Sequence, residues 1–261
     1  MLVCPICYMP LERKEHTWEC SHHHSFDIAK QGYVNLSLKQ KKHQGDNKEM
    51  VKARTAFLEQ GHYAFLKDQL VKIIQSYHLE TIVDTGCGQG YYTSAFSSVS
   101  QVWGIDLSKD AIQYAAKKDK LGHYIVASII VASIFSMPFE SNCCDGVLSI
   151  FVPYASAEIQ RILKPQGIWI TVGPGPHHCW ELKKMLYEHV NENPMPESER
   201  QGFLHEEQKI ITSKQWVDDV WHLLEMTPYR YKSPKEGLER VKACAGKEIT
   251  FEFVIDIWRR V

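Results

Sequence analysis

The sequence predicts an α/β protein, a mostly parallel sheet covered by helices and preceded by a small zinc-binding module. Three observations predict it. From Thr81 onward short apolar runs alternate with helical patterns, as strands buried on both faces do. One of those runs ends in a glycine loop, Asp84-Thr-Gly-Cys-Gly-Gln-Gly90. Ahead of both, residues 1–36 are rich in Cys, His, Gly and Pro and carry two tight pairs of metal-binding side chains. The chain therefore divides into a zinc-binding module at 1–36, a basic linker with helices at 37–78, and a cofactor-binding domain at 79–261.

Within the first module, Cys4-Pro-Ile-Cys7 supplies one ligand pair, and Cys20 with His24 supplies the other. Tight internal spacing lets each pair meet one ion, and four N/S ligands close a tetrahedral zinc site. His22 and His23 share the loop and are rivals for the fourth position. A closed site has no open position for water, so the zinc is structural, standing in for the core that so short a module cannot bury.

Residues 39–48 are polar and basic, and Lys39, Lys41, Lys42 and His43 are placed to meet phosphates. Residues 49–77 carry Met50, Ala53, Phe57, Leu66, Leu70, Ile73 and Ile74 at mostly helical spacing, which predicts two helices joined near Gly61-His62-Tyr63. Strands are expected at 82–83, 101–105, 124–132, 146–152 and 168–172, with helices at 91–98, 109–118, 156–163 and 180–189. Residues 250–258 read as a late strand on a sheet edge, and Trp216, Trp221 and Trp258 as core. Ile125-Val-Ala-Ser-Ile129 is repeated at once as Ile130-Val-Ala-Ser-Ile134. Side chains alternate faces along a strand, so five extra residues reverse facing and both copies cannot serve one strand. The second copy, nearer the turn at Met137-Pro138-Phe139, is expected to be the functional one.

Composition narrows the function. Thirty Lys+Arg against 31 Asp+Glu give a net charge of -1 over 261 residues, so any polyanion site is local. The longest apolar run, 125–137, is broken by Ser and falls short of the roughly 20 residues of a membrane span. The start lacks a basic segment followed by an apolar one. A cytoplasmic protein with no membrane partner is expected, its eight Cys serving as ligands or buried thiols.

In the glycine loop, Gly86, Gly88 and Gly90 lie between strand and helix, where backbone approaches a ligand closely, and Asp84 stands two residues before them. Asp106 ends the next strand, placed to accept hydrogen bonds from a ribose diol. Tyr91 fills the position where a dinucleotide fingerprint has its last small residue for helix packing. A cofactor with an adenosine and no pyrophosphate fits better, and S-adenosylmethionine (SAM) is the common one. At the carboxyl edge also lie Phe151-Val-Pro-Tyr154, able to border a pocket for a flat base, and His177-His178.

Several of these segments together resemble one family. Cys4-x-x-Cys7…Cys20-x-x-x-His24, Phe26-Asp27-x-Ala29-Lys30-x-Gly32-Tyr33-Val34-Asn35-Leu36, Gly61-His62-Tyr63, Asp84-x-Gly86-Cys87-Gly88-x-Gly90-Tyr91-Tyr92-Thr93 and Pro174-Gly175-Pro176-x-His178 resemble the RlmA family. Its members are bacterial methyltransferases that use SAM to modify N1 of a guanine in a hairpin loop of domain II of 23S rRNA. The resemblance runs from Cys4 to Trp258 and implies a SAM-dependent methyltransferase Rossmann-like sheet. It further implies zinc on Cys4, Cys7, Cys20 and His24, SAM contacts from Tyr63, Gly88, Gln89 and His178, 23S rRNA as partner, and a homodimer with a cleft for the RNA. Tyr63 would fold over the cofactor as a lid. Gln89 and Phe151 depart from the family's Glu and Tyr, and the pentapeptide duplication is foreign to it. No proton acceptor is legible: residues 149–154 contain no carboxylate.

Overall fold

The computed structural model describes residues 1–38, 46–127, 137–154 and 156–261. The basic residues Lys39, Lys41, Lys42 and His43 lie outside them. At the N-terminus, β1 (Leu11–Arg13), β2 (Thr17–Cys20) and β3 (Ser25–Asp27) form a small antiparallel ribbon in the order β1-β2-β3. Two residues, β4 (Val34–Asn35), follow and leave it to join the main sheet.

Helix α1 (Lys48–Glu59) begins where Asn47 accepts the N–H groups of Glu49 and Met50, both at 3.0 Å. It ends before Gly61, whose left-handed φ of 86° turns the chain into α2 (Ala64–Ser76). The remaining elements alternate: β5 (Thr81–Thr85), α3 (Thr93–Phe96), β6 (Gln101–Asp106), α4 (Lys109–Lys118), β7 (His123–Val126), β8 (Cys144–Ile150), α5 (Ser156–Ile162), β9 (Leu163–Pro174) and α6 (Trp180–Leu186). The chain closes with β10 (Phe203–Val217), α7 (Val220–Glu225), a 3-10 turn at Pro228–Tyr231, α8 (Lys235–Lys242) and β11 (Lys247–Arg260).

The eight strands lie in the order β10-β11-β9-β8-β5-β6-β7-β4. From β9 to β4 every pairing is parallel; β11 runs antiparallel to both β9 and β10. Residues 250–258 thus sit in an interior strand. The edge belongs to β10, which the sequence reading missed because its polar and charged residues interrupt the apolar pattern. On β10 Trp216 is exposed, where a core residue was expected, while Trp258 is fully buried and Trp221 partly so. Ile125 and Val126 of the first pentapeptide copy pair with both β6 and β4. The second copy, expected to be the functional one, lies outside the described residues.

Two apolar layers sandwich the sheet. On one face α1, α2, α3, α6, α7 and α8 pack on Ile82, Leu148, Ile170, Phe251, Phe253 and Ile255. On the other, Leu2, Cys4, Leu11, Cys20, Val34 and Leu36 of the N-terminal module share a core with Val83, Trp103, Val147, Trp169 and Trp258. Val34 pairs with Ile125, and Leu2 bridges Phe139. The module therefore has no core of its own; it borrows the sheet's.

A zinc ribbon and a candidate cofactor pocket at the carboxyl edge

The ribbon brings its four predicted ligands together. One ligand atom from each of Cys4, Cys7, Cys20 and His24 lies within 4.8 Å of all the others. Cys4 Sγ is 3.4 Å and Cys20 Sγ 3.5 Å from His24 Nδ1, and Cys7 Sγ is 3.6 Å from Cys20 Sγ. These separations fit a tetrahedron with Zn–S near 2.3 Å and Zn–N near 2.0 Å. They are far too long for a disulfide. Left-handed residues, Tyr8 (φ 60°) and His23 (φ 61°), make the two hairpin bends. His23 faces solvent and Glu19, 3.2 Å away, and His22 is exposed, leaving the fourth position to His24. Burial opposes a thiolate at Cys20, but the backbone N–H groups of His24 and His22 outweigh it and bring the thiol down to about 7. The donor set is ready for a divalent soft-to-borderline ion, and the residues fit structural zinc.

At the carboxyl edge of the sheet, β5 delivers Asp84 and the loop Gly86–Gly90, whose three glycines all have left-handed φ of 70°, 55° and 78°. A Cβ on Gly90 would lie 2.9 Å from Ala115 Cβ, so Gly90 performs the helix packing for which Tyr91 had looked unsuited. A Cβ on Gly88 would meet nothing nearer than Arg54 Nη1 at 3.9 Å, leaving open space beside the loop. Asp106 at the end of β6 is oriented from two sides: Oδ2 accepts the Gly88 N–H at 2.9 Å and Oδ1 the Ser108 N–H at 2.7 Å. Each carboxylate oxygen keeps a second lone pair for a ligand hydroxyl. Burial raises the Asp106 pKa, and those two N–H groups resist the rise.

Asp84 is buried beneath the loop, where its Oδ2 accepts the Thr93 hydroxyl at 2.6 Å. Burial, opposed by Thr93 and reinforced by the charge of Asp106, pushes it up to about 7. Buried polar atoms without a partner lie on the loop and at the residue that precedes α3: Gln89 Nε2 and the hydroxyl of Tyr92. Unpaired buried donors call for an occupant. Together with the open face of Gly88 and the fixed carboxylate of Asp106, they fit a polar cofactor with a ribose.

Tyr63 and His178 form the adjoining wall. Their rings are 6.3 Å apart, and Tyr63 meets Phe57, Phe151, Phe251 and Phe253 at 4.9–6.3 Å. Tyr63 sits within this aromatic cluster and is 5% exposed. His178 Nδ1 accepts the Glu252 N–H at 3.3 Å, so in the neutral ring Nε2 carries the proton. Burial, helped by the Lys183 charge, lowers its pKa to about 4. His177 by contrast lies on the surface beside Glu192 and Glu252. Phe151, half exposed with φ of 56°, holds a left-handed conformation unusual for an aromatic residue. It touches Tyr63 and Phe253, and Tyr154 is exposed nearby at the same strand end.

Arg54 and Tyr92 escaped the sequence reading. Arg54 Nη1 overlooks the open face of Gly88 at 3.9 Å, and the Tyr92 hydroxyl is buried without a partner just after the loop. The signal for Arg54 was a charge on an apolar stripe, three residues after buried Val51 and four before buried Leu58.

Comparison with known proteins agrees with this geometry. Residues 2–44 match the RlmA N-terminal zinc ribbon, and residues 83–171 a methyltransferase domain. A 23S rRNA (guanine(748)-N(1))-methyltransferase of Streptomyces fradiae is 34% identical over 193 residues, 71% of this chain and 67% of that protein. YxjB of Bacillus subtilis strain 168, provisionally named a 23S rRNA (guanine-N(1)-)-methyltransferase, is 29% identical over 97% of this chain and 94% of its own. The crystal structure of BH2331 from Bacillus halodurans shares the fold, with a TM-score of 0.51 at 18% identity over 74% of this chain and 98% of that one. With the ribbon, the methyltransferase domain and this degree of identity in agreement, the chain belongs to the RlmA family of 23S rRNA (guanine-N1)-methyltransferases, SAM-dependent enzymes built on a Rossmann-like sheet with a structural zinc ribbon.

Proposed function

We propose that this chain transfers the methyl group of SAM to N1 of a guanine in a domain II hairpin loop of 23S rRNA. One observation carries the reading furthest: the open face of Gly88, beside Asp106, shares an edge of the sheet with the exposed aromatic strand end at Phe151 and Tyr154. A cofactor and a flat base would meet there.

SAM supplies an electrophilic methyl on a sulfonium, displaced in line, so the protein chiefly positions the reactants. Asp106 would take the ribose hydroxyls, while Gly86, Gly88 and Gly90 give the backbone room. Gln89 offers its unpartnered amide from the loop. Asp84 holds α3 by accepting the Thr93 hydroxyl. Tyr63 and neutral His178 close one side, His178 offering its Nε2–H, and the surrounding Phe57, Phe251 and Phe253 exclude water. Phe151 gives the extruded base an apolar face. The N1 proton must leave as the methyl arrives, and no protein group is assigned to receive it.

The ribbon, with zinc on Cys4, Cys7, Cys20 and His24, would help dock the RNA, and Lys39, Lys41, Lys42 and His43 would meet phosphates. Among the described residues no helix is long and apolar enough to cross a membrane. A cytoplasmic location and a homodimer complete the reading; light scattering of the purified chain at twice the monomer mass supports the dimer, and monomer mass removes it.

The decisive experiment is methyl transfer from labelled SAM to unmodified 23S rRNA, followed by nuclease digestion and mass spectrometry of the nucleosides. N1-methylguanosine is expected. Label in another nucleoside, or none in RNA despite SAM binding, overturns the substrate assignment.

A further inference from the structure

We propose that Arg54 anchors the carboxylate at the amino-acid end of the cofactor, and so makes the pocket selective for a carboxylated sulfonium. The inference rests on the SAM reading above and concerns a residue outside the expected contacts.

Arg54 stands on α1, and its Nη1 lies 3.9 Å from the point a Gly88 side chain would occupy. It is therefore the group that overlooks the open face of the loop. Asp46 Oδ2 holds that same nitrogen at 2.8 Å, and the Asp46 carbonyl accepts the Ser108 hydroxyl, which ties the pair to the turn after Asp106. The side chains are 33% and 19% exposed, so the pair is only partly buried.

The other fixed charges of the pocket are acidic. Asp84 and Asp106 lie under and beside the loop and suit a sulfonium, an ammonium and a ribose. The same two carboxylates repel a third unless a cation stands nearby. Arg54 is a cation beside that face, and its charge favours the ionised form of Asp106. Its guanidinium carries five N–H donors in a planar fork, and Asp46 engages it at Nη1, so it can take a second carboxylate. Asp106 is placed by the Gly88 and Ser108 N–H groups and does not depend on Arg54 for its placement.

The test is calorimetric titration of the full zinc-loaded chain with SAM and with decarboxylated SAM, two probes that differ by the carboxylate alone. Native protein, Arg54→Lys and Arg54→Ala are compared. Arg54→Ala should weaken SAM binding about 10- to 100-fold, the range of a charge-assisted hydrogen-bonded pair, and leave decarboxylated SAM unchanged. Arg54→Lys, which keeps the charge without the fork, should fall between. Thermal melting of the unliganded variants should match the native chain, since the lost pair is partly solvated. Equal losses for both probes would make Arg54 a structural support of the loop and overturn the assignment, as would no loss for either. A native chain that binds neither probe would overturn the cofactor reading and this one with it.

Discussion

Gly88 and Gly90 share a left-handed backbone but are needed for different reasons. At either site alanine carries the left-handed penalty of about 1–2 kcal/mol. At Gly90 its Cβ would also crowd Ala115 at 2.9 Å, whereas at Gly88 it would enter open space. Gly90→Ala should therefore lower the Tm more than Gly88→Ala, while Gly88→Ala should lose more affinity for S-adenosylhomocysteine. Melting and titration of the two variants check this, and the reverse ranking would refute the open-face assignment. The titrating groups have opposite signs. Asp84 rises from 3.8 unfolded to about 7 folded, so its contribution favours the fold at low pH and is lost as pH climbs through that window. Asp84→Asn keeps an acceptor for Thr93 and removes the buried charge; its Tm relative to the native chain should be higher at pH 8 than at pH 5. His178 falls from 6.5 to about 4, so acidification through that window charges the unfolded chain first and costs stability. His178→Gln should flatten the loss of Tm between those limits, measured by melting across pH.

At the scale of elements, the ribbon shows how a metal and a borrowed core combine. Three short strands cannot hold Cys4, Cys7, Cys20 and His24 together against the entropy of their loops without an ion or a neighbour. Cys20→Ser should reduce zinc to well below one equivalent per chain by atomic absorption; full metal content would exclude Cys20 as a ligand. Strand β10 illustrates the opposite difficulty. Its exposed positions are Leu204, Glu206, Gln208, Ile210, Thr212, Lys214 and Trp216, while the intervening positions from 205 to 215 are half-buried, so period-two contrast is weak. Charges of this kind are common on edge strands, where they discourage pairing with other chains. Trp216 lies over Gly246, where an added Cβ would come within 2.8 Å of the indole, and donates to Asp218 at 2.9 Å. Local contacts thus account for its position without a place in the core.

At the scale of the whole molecule, the ribbon and the sheet share one apolar core. Leu2, Leu11, Val34 and Leu36 pack with Val83, Ile105 and Ile125, so loss of zinc withdraws a layer from the sheet itself. Chelation should lower a single melting transition by roughly 10 °C, given several kcal/mol lost at about 2–4 °C per kcal/mol for a chain of this size. A separate early transition, with the main one unmoved, would show independent modules. Sequence by itself determined the ligand spacing, the glycine loop, both N-terminal helices and the central parallel strands, because each is written within a few residues by period, cap or turn chemistry. It also carried the family resemblance, in motifs as local as Cys4-x-x-Cys7 and Asp84-x-Gly86. Tertiary structure decided what depends on distant partners. It placed Val34 beside Ile125, put β11 inside β10, selected His24 over His22 and His23, and set Arg54 above Gly88. In each case the deciding contact joins residues that no local period relates, and the energy lies in burial and charge that exist only after the chain has folded.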